Sequence, residues 1–470
     1  MKKLLYIFLT VLIVGCSGED SNNNNQDNND TNCEYVLNTL PVTNAIADSA
    51  TFNGIISLDG NCEFPITEQG FVYATTIQPT IANNKVNVNG SEVTTTLENL
   101  EPNTTYYVRT FLTNALGEFY GNEVNFISNN AVYLDDNGVT IKAYDFAEVG
   151  DTGVINGITY TVVDEAMLRE MVDNEEDVTK AVTTKVTSMQ YLFGTDTSSI
   201  SDFNQDISSW DVSNVENMQY IFRYAINFNQ PIGNWDVSSV TNMLSMFDGA
   251  TSFNQPIGNW DVSNVTYMLG MFSGAEAFNQ PIGNWDVSSV NSMQEMFSSA
   301  TSFNQPIGNW DVSNVTYMTG MFSNAGNSTA TSFNQPIGDW DVSNVTNMSF
   351  MFYYSLSFNQ PIGNWDVSNV TNMYLMFAEA TSFNQPIGDW DVSNVTDMAG
   401  MFGQATSFNQ PIGNWDVSSV TEMQQMFYYS LSFNQNLSSW SVDGVTICNN
   451  FSEGATSWTL PQPNFTNCTP

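Results

Sequence analysis

Tryptophan stands at 210, 235, 260, 285, 310, 340, 365, 390, 415 and 440. The spacing is 25, broken once by a step of 30 where residues 326–330 (GNSTA) read as an insertion. Phe-Asn-Gln-Pro-Ile-Gly recurs eight times over the same stretch. A fixed period of this length means one supersecondary unit repeated and stacked. A single unit cannot bury a Trp, two Met and two Phe by itself, whereas stacked units can. Each buried aromatic removes about 150–250 Å² from water, an upper bound of roughly 4–6 kcal/mol at about 25 cal/mol/Å².

Two spacings alternate inside a unit. In Ile232–Val237 the pattern is apolar-x-x-apolar-x-apolar, which reads as a short strand with Trp235 and Val237 inward. Asn234, Asp236 and Ser238 then face outward on a concave sheet. Val240, Met243, Met246, Phe247 and Ala250 follow at offsets that read as a helical stripe. The expected fold class is therefore mixed: a leucine-rich-repeat-like solenoid of short parallel strands with helical or 3-10 returns. Its ten units span residues 195–451, with a C-terminal cap at 452–470. Residues 129–194 read as a junction and N-terminal cap. Within it Asn156-Gly157 signals a hairpin, and Asp164 caps a helix carrying Met167, Leu168, Met171 and Val172 on one side. The Asn after each Phe, from Asn204 to Asn434, reads as a structural ladder between coils.

Residues 33–128 alternate with period two between turn residues, as half-buried strands do. In "LEPNTTYYV", Leu100, Pro102, Thr104, Tyr106 and Val108 fall at every second position. This resembles the tyrosine corner of fibronectin type III domains, and implies a β-sandwich placed ahead of the array as a spacer.

The first fifteen residues read as a leader: Lys2 and Lys3, then an apolar run from Leu4 to Val14 too short to span a bilayer. Ile13-Val14-Gly15-Cys16 resembles a bacterial lipobox, which makes Cys16 the lipidated residue. Residues 16–32 hold Asn and acids without apolar residues after Cys16, and read as a flexible tether. "SGED" after Cys16 resembles the surface-export signal of Bacteroidetes lipoproteins, so the expected location is the outer membrane, lipid-anchored and facing outward. Cys33, Cys62, Cys448 and Cys468 remain as disulfide candidates, with Cys33–Cys62 and Cys448–Cys468 favoured by proximity.

The formal net charge is −40 and there is no histidine. The charge argues against nucleic acid as a partner, and the missing imidazole removes the commonest general base and metal ligand. No zinc-spaced cysteines and no phosphate loop occur, so no enzyme is expected. From Phe203 onward 21 acids face one base, Arg223. Nine of the acids are the Asp of Trp-Asp-Val: Asp211, Asp236, Asp261, Asp286, Asp311, Asp341, Asp366, Asp391 and Asp416. Stacked coils bring them into one acidic column. Three accounts fit it: Asx turns with the residues that follow, bound Ca²⁺, or a basic partner. The residues that differ between units follow the first Met and the Met-Phe pair. Tyr353, Tyr354, Tyr374, Tyr428 and Tyr429 are among them, and are read as exposed aromatics available for recognition.

The motif FNQPIGNWDVSNVTNMxxMF, from Phe203 to Phe451, resembles the Mycoplasma-type surface-repeat lipoproteins of the broader BspA-like leucine-rich repeat group. The resemblance implies a cell-surface protein, adhesive in some members, without catalysis. The expected function is a surface lipoprotein presenting an acidic solenoid to an extracellular protein or glycan. Glycan capture for nutrient uptake, or a passive coat, are the alternatives.

Overall fold

The computed structural model describes residues 34–46, 49–59, 64–101, 104–128, 131–194, 200–324 and 331–470. The leader, Cys16, the tether, Cys33, Cys62 and the insertion lie outside them. The chain divides into two units: residues up to Tyr133 with Tyr144–Val162, and Leu134–Ala143 with Val163–Pro470.

The first unit is antiparallel. Strands β1 (Glu34–Ile46), β2 (Ser49–Asp59) and β5 (Glu92–Leu97) form one sheet in the order β1-β2-β5. Strands β3 (Glu68–Ala74), β4 (Asn84–Asn87), β6 (Thr105–Asn114) and β7 (Gly117–Tyr120) form a second, ordered β4-β3-β6-β7, with β8 (Val124–Ile127) also on β6. Alternate side chains meet in one core, because a strand turns every second residue to the same face. Phe52 of β2 lies 5.7 Å from Phe71 of β3 and 5.6 Å from Phe126 of β8, edge to face. The Glu101 N–H donates to the Tyr106 hydroxyl at 2.9 Å. Short strands β9 (Val132–Leu134) and β10 (Ile141–Ala143) follow. Then β11 (Thr152–Ile155) and β12 (Ile158–Val162) pair through Asn156-Gly157, whose φ values of 52° and 80° fit the two-residue turn expected there.

The second unit takes in β10 and continues with helix α1 (Glu165–Asp173) and the short β13 (Ala181–Val182). Asp164 caps α1 by accepting the Met167 N–H at 2.8 Å. Leu168 enters the same core as the tryptophans of the array.

The repeats depart from the expected strand and helix. After Ala181–Val182 no described residue belongs to a strand, and α1 is the one α-helix among the described residues. Each coil is instead a succession of four-residue turns. In residues 228–253, Trp235 N–H bonds Ile232 C=O (3.1 Å), Val240 bonds Val237 (2.9 Å), Met246 bonds Met243 (3.2 Å), Ala250 bonds Phe247 (3.0 Å) and Phe253 bonds Ala250 (3.0 Å). Apolar residues three apart thus sit at the corners of turns. That spacing imitates both the strand motif and the helical stripe, which is why the expected solenoid of strands and helical returns does not form.

Handedness excludes the helix. Ser245 and Gly249 have φ of 48° and 71°, and later coils repeat this at Glu295 and Ser299, Phe350 and Tyr354, Leu375 and Glu379. A left-handed residue every fourth position breaks an α-helix and costs an L-residue roughly 1–2 kcal/mol. The reward is a set of backbone donors aimed at the next coil. Met243, Ser245, Phe247 and Gly249 donate to the carbonyls of Tyr267, Leu269, Met271 and Ser273 at 2.7–3.0 Å. Single-residue parallel bridges run from Ser188 through Asn217, Asn242 and Tyr267 to Ile447.

The indoles lie inside, Trp235 at 3 % exposure and Trp260 at 4 %. Trp235 and Trp260 stack 6.5 Å apart and 3° from parallel. Gly233 is required by the packing, since a Cβ there would stand 2.4 Å from the Pro256 carbonyl oxygen of the next coil. At the surface, Asn229 Oδ1 accepts the Asn254 N–H (2.9 Å) and the Gln255 amide (3.0 Å). This ladder passes coil to coil until Asn434 Oδ1 accepts the N–H groups of Thr459 and Leu460 at 2.8 and 3.0 Å. There the array closes. Cys448 stands where other coils carry the first Met, and bonds Cys468 (Sγ–Sγ 2.01 Å). Trp458 turns edge-on to Phe433, at 85°, which ends the parallel ring stacks.

Candidate functional site

Each Asp of Trp-Asp-Val closes a local turn. Asp236 Oδ1 accepts the Ser238 N–H at 3.2 Å and the Ser238 hydroxyl at 2.6 Å, and Asp311 does the same with Ser313 at 3.1 and 2.6 Å. The amide contact recurs at Asp211, Asp261, Asp286, Asp341, Asp366, Asp391 and Asp416. The serine hydroxyl and then the serine N–H hold the carboxyls of Asp261, Asp311, Asp366 and Asp416 below the ordinary carboxylate range. The Asx turn is therefore present along the whole column. Among the described residues no group of three or more His, Cys, Asp or Glu is placed to hold a metal ion. Asp211 differs from the others. The first coil meets the segment around Ile141, whose N–H donates to Ser209 C=O at 2.8 Å. Asp211 is buried there, and its Oδ2 has no hydrogen-bond partner.

The side chains that distinguish one coil from the next gather elsewhere. They occupy the bridge position, which carries Asn242, Tyr267, Ser292, Asp397 and Ile447 among others, and the second, third, sixth and seventh positions counted from it. The core residues between them, Met243, Met246 and Phe247, are fully buried. The third and seventh positions are the left-handed ones. Neighbouring coils are complementary here: Leu375 reaches over Gly400, and the Tyr429 ring lies over Gly454, where a Cβ would clash.

The five tyrosines picked out in the sequence all lie on this strip, and the structure brings them into two groups. Tyr353 and Tyr354 are 4.7 Å apart and nearly perpendicular. Phe350 joins them, 5.6 Å from Tyr353 and 5.0 Å from Tyr374. Tyr428 and Tyr429 form a second pair at 4.6 Å. Between the groups, the Gln404 amide donates to Glu379, which also accepts from the Tyr354 hydroxyl. A third cluster lies near the start of the array. Arg223 stands 4.9 Å from both the Tyr220 and Tyr224 rings and pairs with Asp248 at 2.9 Å. Sequence reading missed Glu379, Gln404 and this Arg223 cluster. The repeated FYYSLSFNQ at 352–360 and 427–435 marks the two tyrosine pairs, and Glu379 and Gln404 lie in the coils between its copies.

A family model described as "Mycoplasma protein of unknown function, DUF285" matches the chain at residues 164–279, 232–329, 255–360, 328–396 and 357–465, together more than half its length. No curated protein and no solved structure matches the chain.

Proposed function

The chain belongs to the DUF285 family of Mycoplasma-type repeat proteins, and from that premise we propose that it is a surface-anchored, non-catalytic binding protein whose repeats present a recognition strip. One observation carries this reading. Coils with the same core and ladder residues differ at the bridge position and at the four positions counted from it, and these positions bear the exposed and partly exposed tyrosines. A purely structural coat has no need to concentrate its variation there. Aromatic side chains with polar tips are the groups that recognition surfaces favour. The absence of histidine from the sequence also supports binding over catalysis.

Anchoring through a lipid on Cys16, outer-membrane display and membership in the BspA-like group belong to the same proposal, on the residues quoted above. So does a fibronectin type III-like character for the first unit, which the Tyr106 contact with Glu101 supports. In this reading that unit is a spacer in the chain between the anchor and the repeats.

Screening the full chain against protein and glycan arrays tests the proposal. A ligand lost when strip residues are replaced, with the melting temperature kept, supports it; silence on both arrays contradicts it. Fatty-acid labelling abolished by Cys16→Ser supports the anchor, and labelling that persists removes it.

A further inference from the structure

The duplicated FYYSLSFNQ places two tyrosine pairs in equivalent positions three coils apart. At about 4.8 Å per stacked backbone this is roughly 14 Å. The two coils between them carry Ala378 and Gly403 in the place of Tyr353 and Tyr428, and Glu379 and Gln404 in the place of Tyr354 and Tyr429. The result is two aromatic platforms with a low, polar saddle between them. Ala378 and Gly403 are buried at its floor, and Glu379 is fixed by Gln404 and Tyr354.

Tyr354 and Tyr429 hold the left-handed position, with φ of 59° and 49°. Gly249, Gly274 and Gly454 fill it in other coils, and so do Tyr224, Ser299, Glu379 and Gln404, so the position accepts glycine without backbone cost. What sets these two coils apart is the second tyrosine beside it, Tyr353 at 4.7 Å and Tyr428 at 4.6 Å.

We propose, building on the recognition reading above, that the surface between Tyr353-Tyr354 and Tyr428-Tyr429 binds a neutral oligosaccharide. The negative faces of the tyrosine rings attract the C–H faces of sugar rings. Glu379 accepts from sugar hydroxyls while the Gln404 amide and the tyrosine hydroxyls donate or accept. The separation of the platforms requires a chain of several sugars rather than one. Charge excludes an acidic ligand: from Phe203 onward there is one base against 21 acids, and that base, Arg223, is already paired. A basic peptide is the competing occupant, since Glu379 lies between the platforms and Asp397 and Glu422 stand at the bridge positions of the neighbouring coils; the salt arm of the titration separates the two.

The experiment is calorimetric titration of the full chain with neutral gluco-, manno-, xylo- and chito-oligosaccharides, from disaccharides to hexasaccharides, at low and high salt. At least one series binds, the longer members tighter, with affinity unchanged by salt. The paired substitution Tyr354→Gly with Tyr429→Gly weakens binding about tenfold or more while native ellipticity and a cooperative melt are retained, because glycine fits that backbone. Glu379→Gln weakens it less. Three outcomes overturn the proposal: no heat from any series, binding that the paired glycine variant leaves intact, or binding that vanishes at high salt. If instead a basic peptide binds and is lost in that variant, the sugar assignment fails while the recognition strip stands. If protein and sugar ligands both ignore strip substitutions, both readings fail.

Discussion

The indole N–H of Trp365 donates to the carbonyl of Ile337, one coil back, at 3.0 Å. The same contact joins Trp260 to Ile232 and Trp415 to Ile387. Each indole therefore fills the core and satisfies a buried backbone acceptor that no strand pairing serves. Trp365→Phe keeps most of the ring and leaves the Ile337 carbonyl with the Trp340 N–H alone, at 3.3 Å. The expected loss is about 0.5–1.5 kcal/mol, measured by urea unfolding. A loss no greater than that of an exposed substitution such as Tyr267→Phe would show that the bond contributes nothing.

The asparagine ladder separates by chemistry. Asn334 Oδ1 accepts from the Asn359 N–H and the Gln360 amide, both at 3.0 Å. Asn334→Ala removes both bonds and is expected to cost about 1–2 kcal/mol. Asn334→Asp keeps the acceptor and is expected to recover most of that. Equal costs for the two would assign the position to packing instead.

The left-handed positions predict opposite responses to similar changes. Gly320 has φ 62°, and Gly320→Ala is expected to destabilise by about 1 kcal/mol. Gln425 has φ 55° in the same place, so Gln425→Gly is expected to be neutral or stabilising. A destabilising Gln425→Gly would contradict the backbone assignment.

Four of the serine-capped aspartates, Asp261, Asp311, Asp366 and Asp416, give a pH dependence. Their folded-state pKa lies below the unfolded value, so the stability they contribute is complete above about pH 4. It is lost as pH falls through the lower folded value. Asp397 and Glu379 run the other way, because burial raises their pKa and favours the protonated form. Carbon-detected titration of Asp311 in the wild type and in Ser313→Ala reads the effect directly. The variant is expected to return Asp311 toward the ordinary carboxylate value, and an unchanged titration would refute the Asx-turn account.

The Cys448–Cys468 bond closes the last coil over a separation of 20 residues. Reduction is expected to cost roughly 2–4 kcal/mol. Faster amide exchange should appear first at Phe451 and Trp458, ahead of the middle coils. Uniform acceleration along the array would mean that the end is not a separate cap.

Much of this is legible in the sequence. The period placed Trp310 and Val312 inside and Asp311 outside, Asn156-Gly157 marked its hairpin, and Asp164 marked its cap. The helical return was not legible, because Met243 and Met246 are spaced alike in a helix and in a four-residue turn. Only φ distinguishes the two, and the left-handed positions hide themselves by carrying Phe350, Leu375 and Glu379 as readily as glycine. The tyrosines were visible as variation. Their arrangement around Glu379 and Gln404 depended on which residues stack, and that became readable once the coil was fixed.

All the tryptophans of the chain lie in the repeat unit, from Trp210 to Trp458, so their fluorescence reports on that unit alone. Acrylamide quenching through a urea titration tests the continuous indole core most directly. The account predicts blue-shifted emission and weak quenching in the native state, with quenching rising together with the loss of backbone ellipticity. Red-shifted, readily quenched emission in native buffer would place the indoles in water and contradict it.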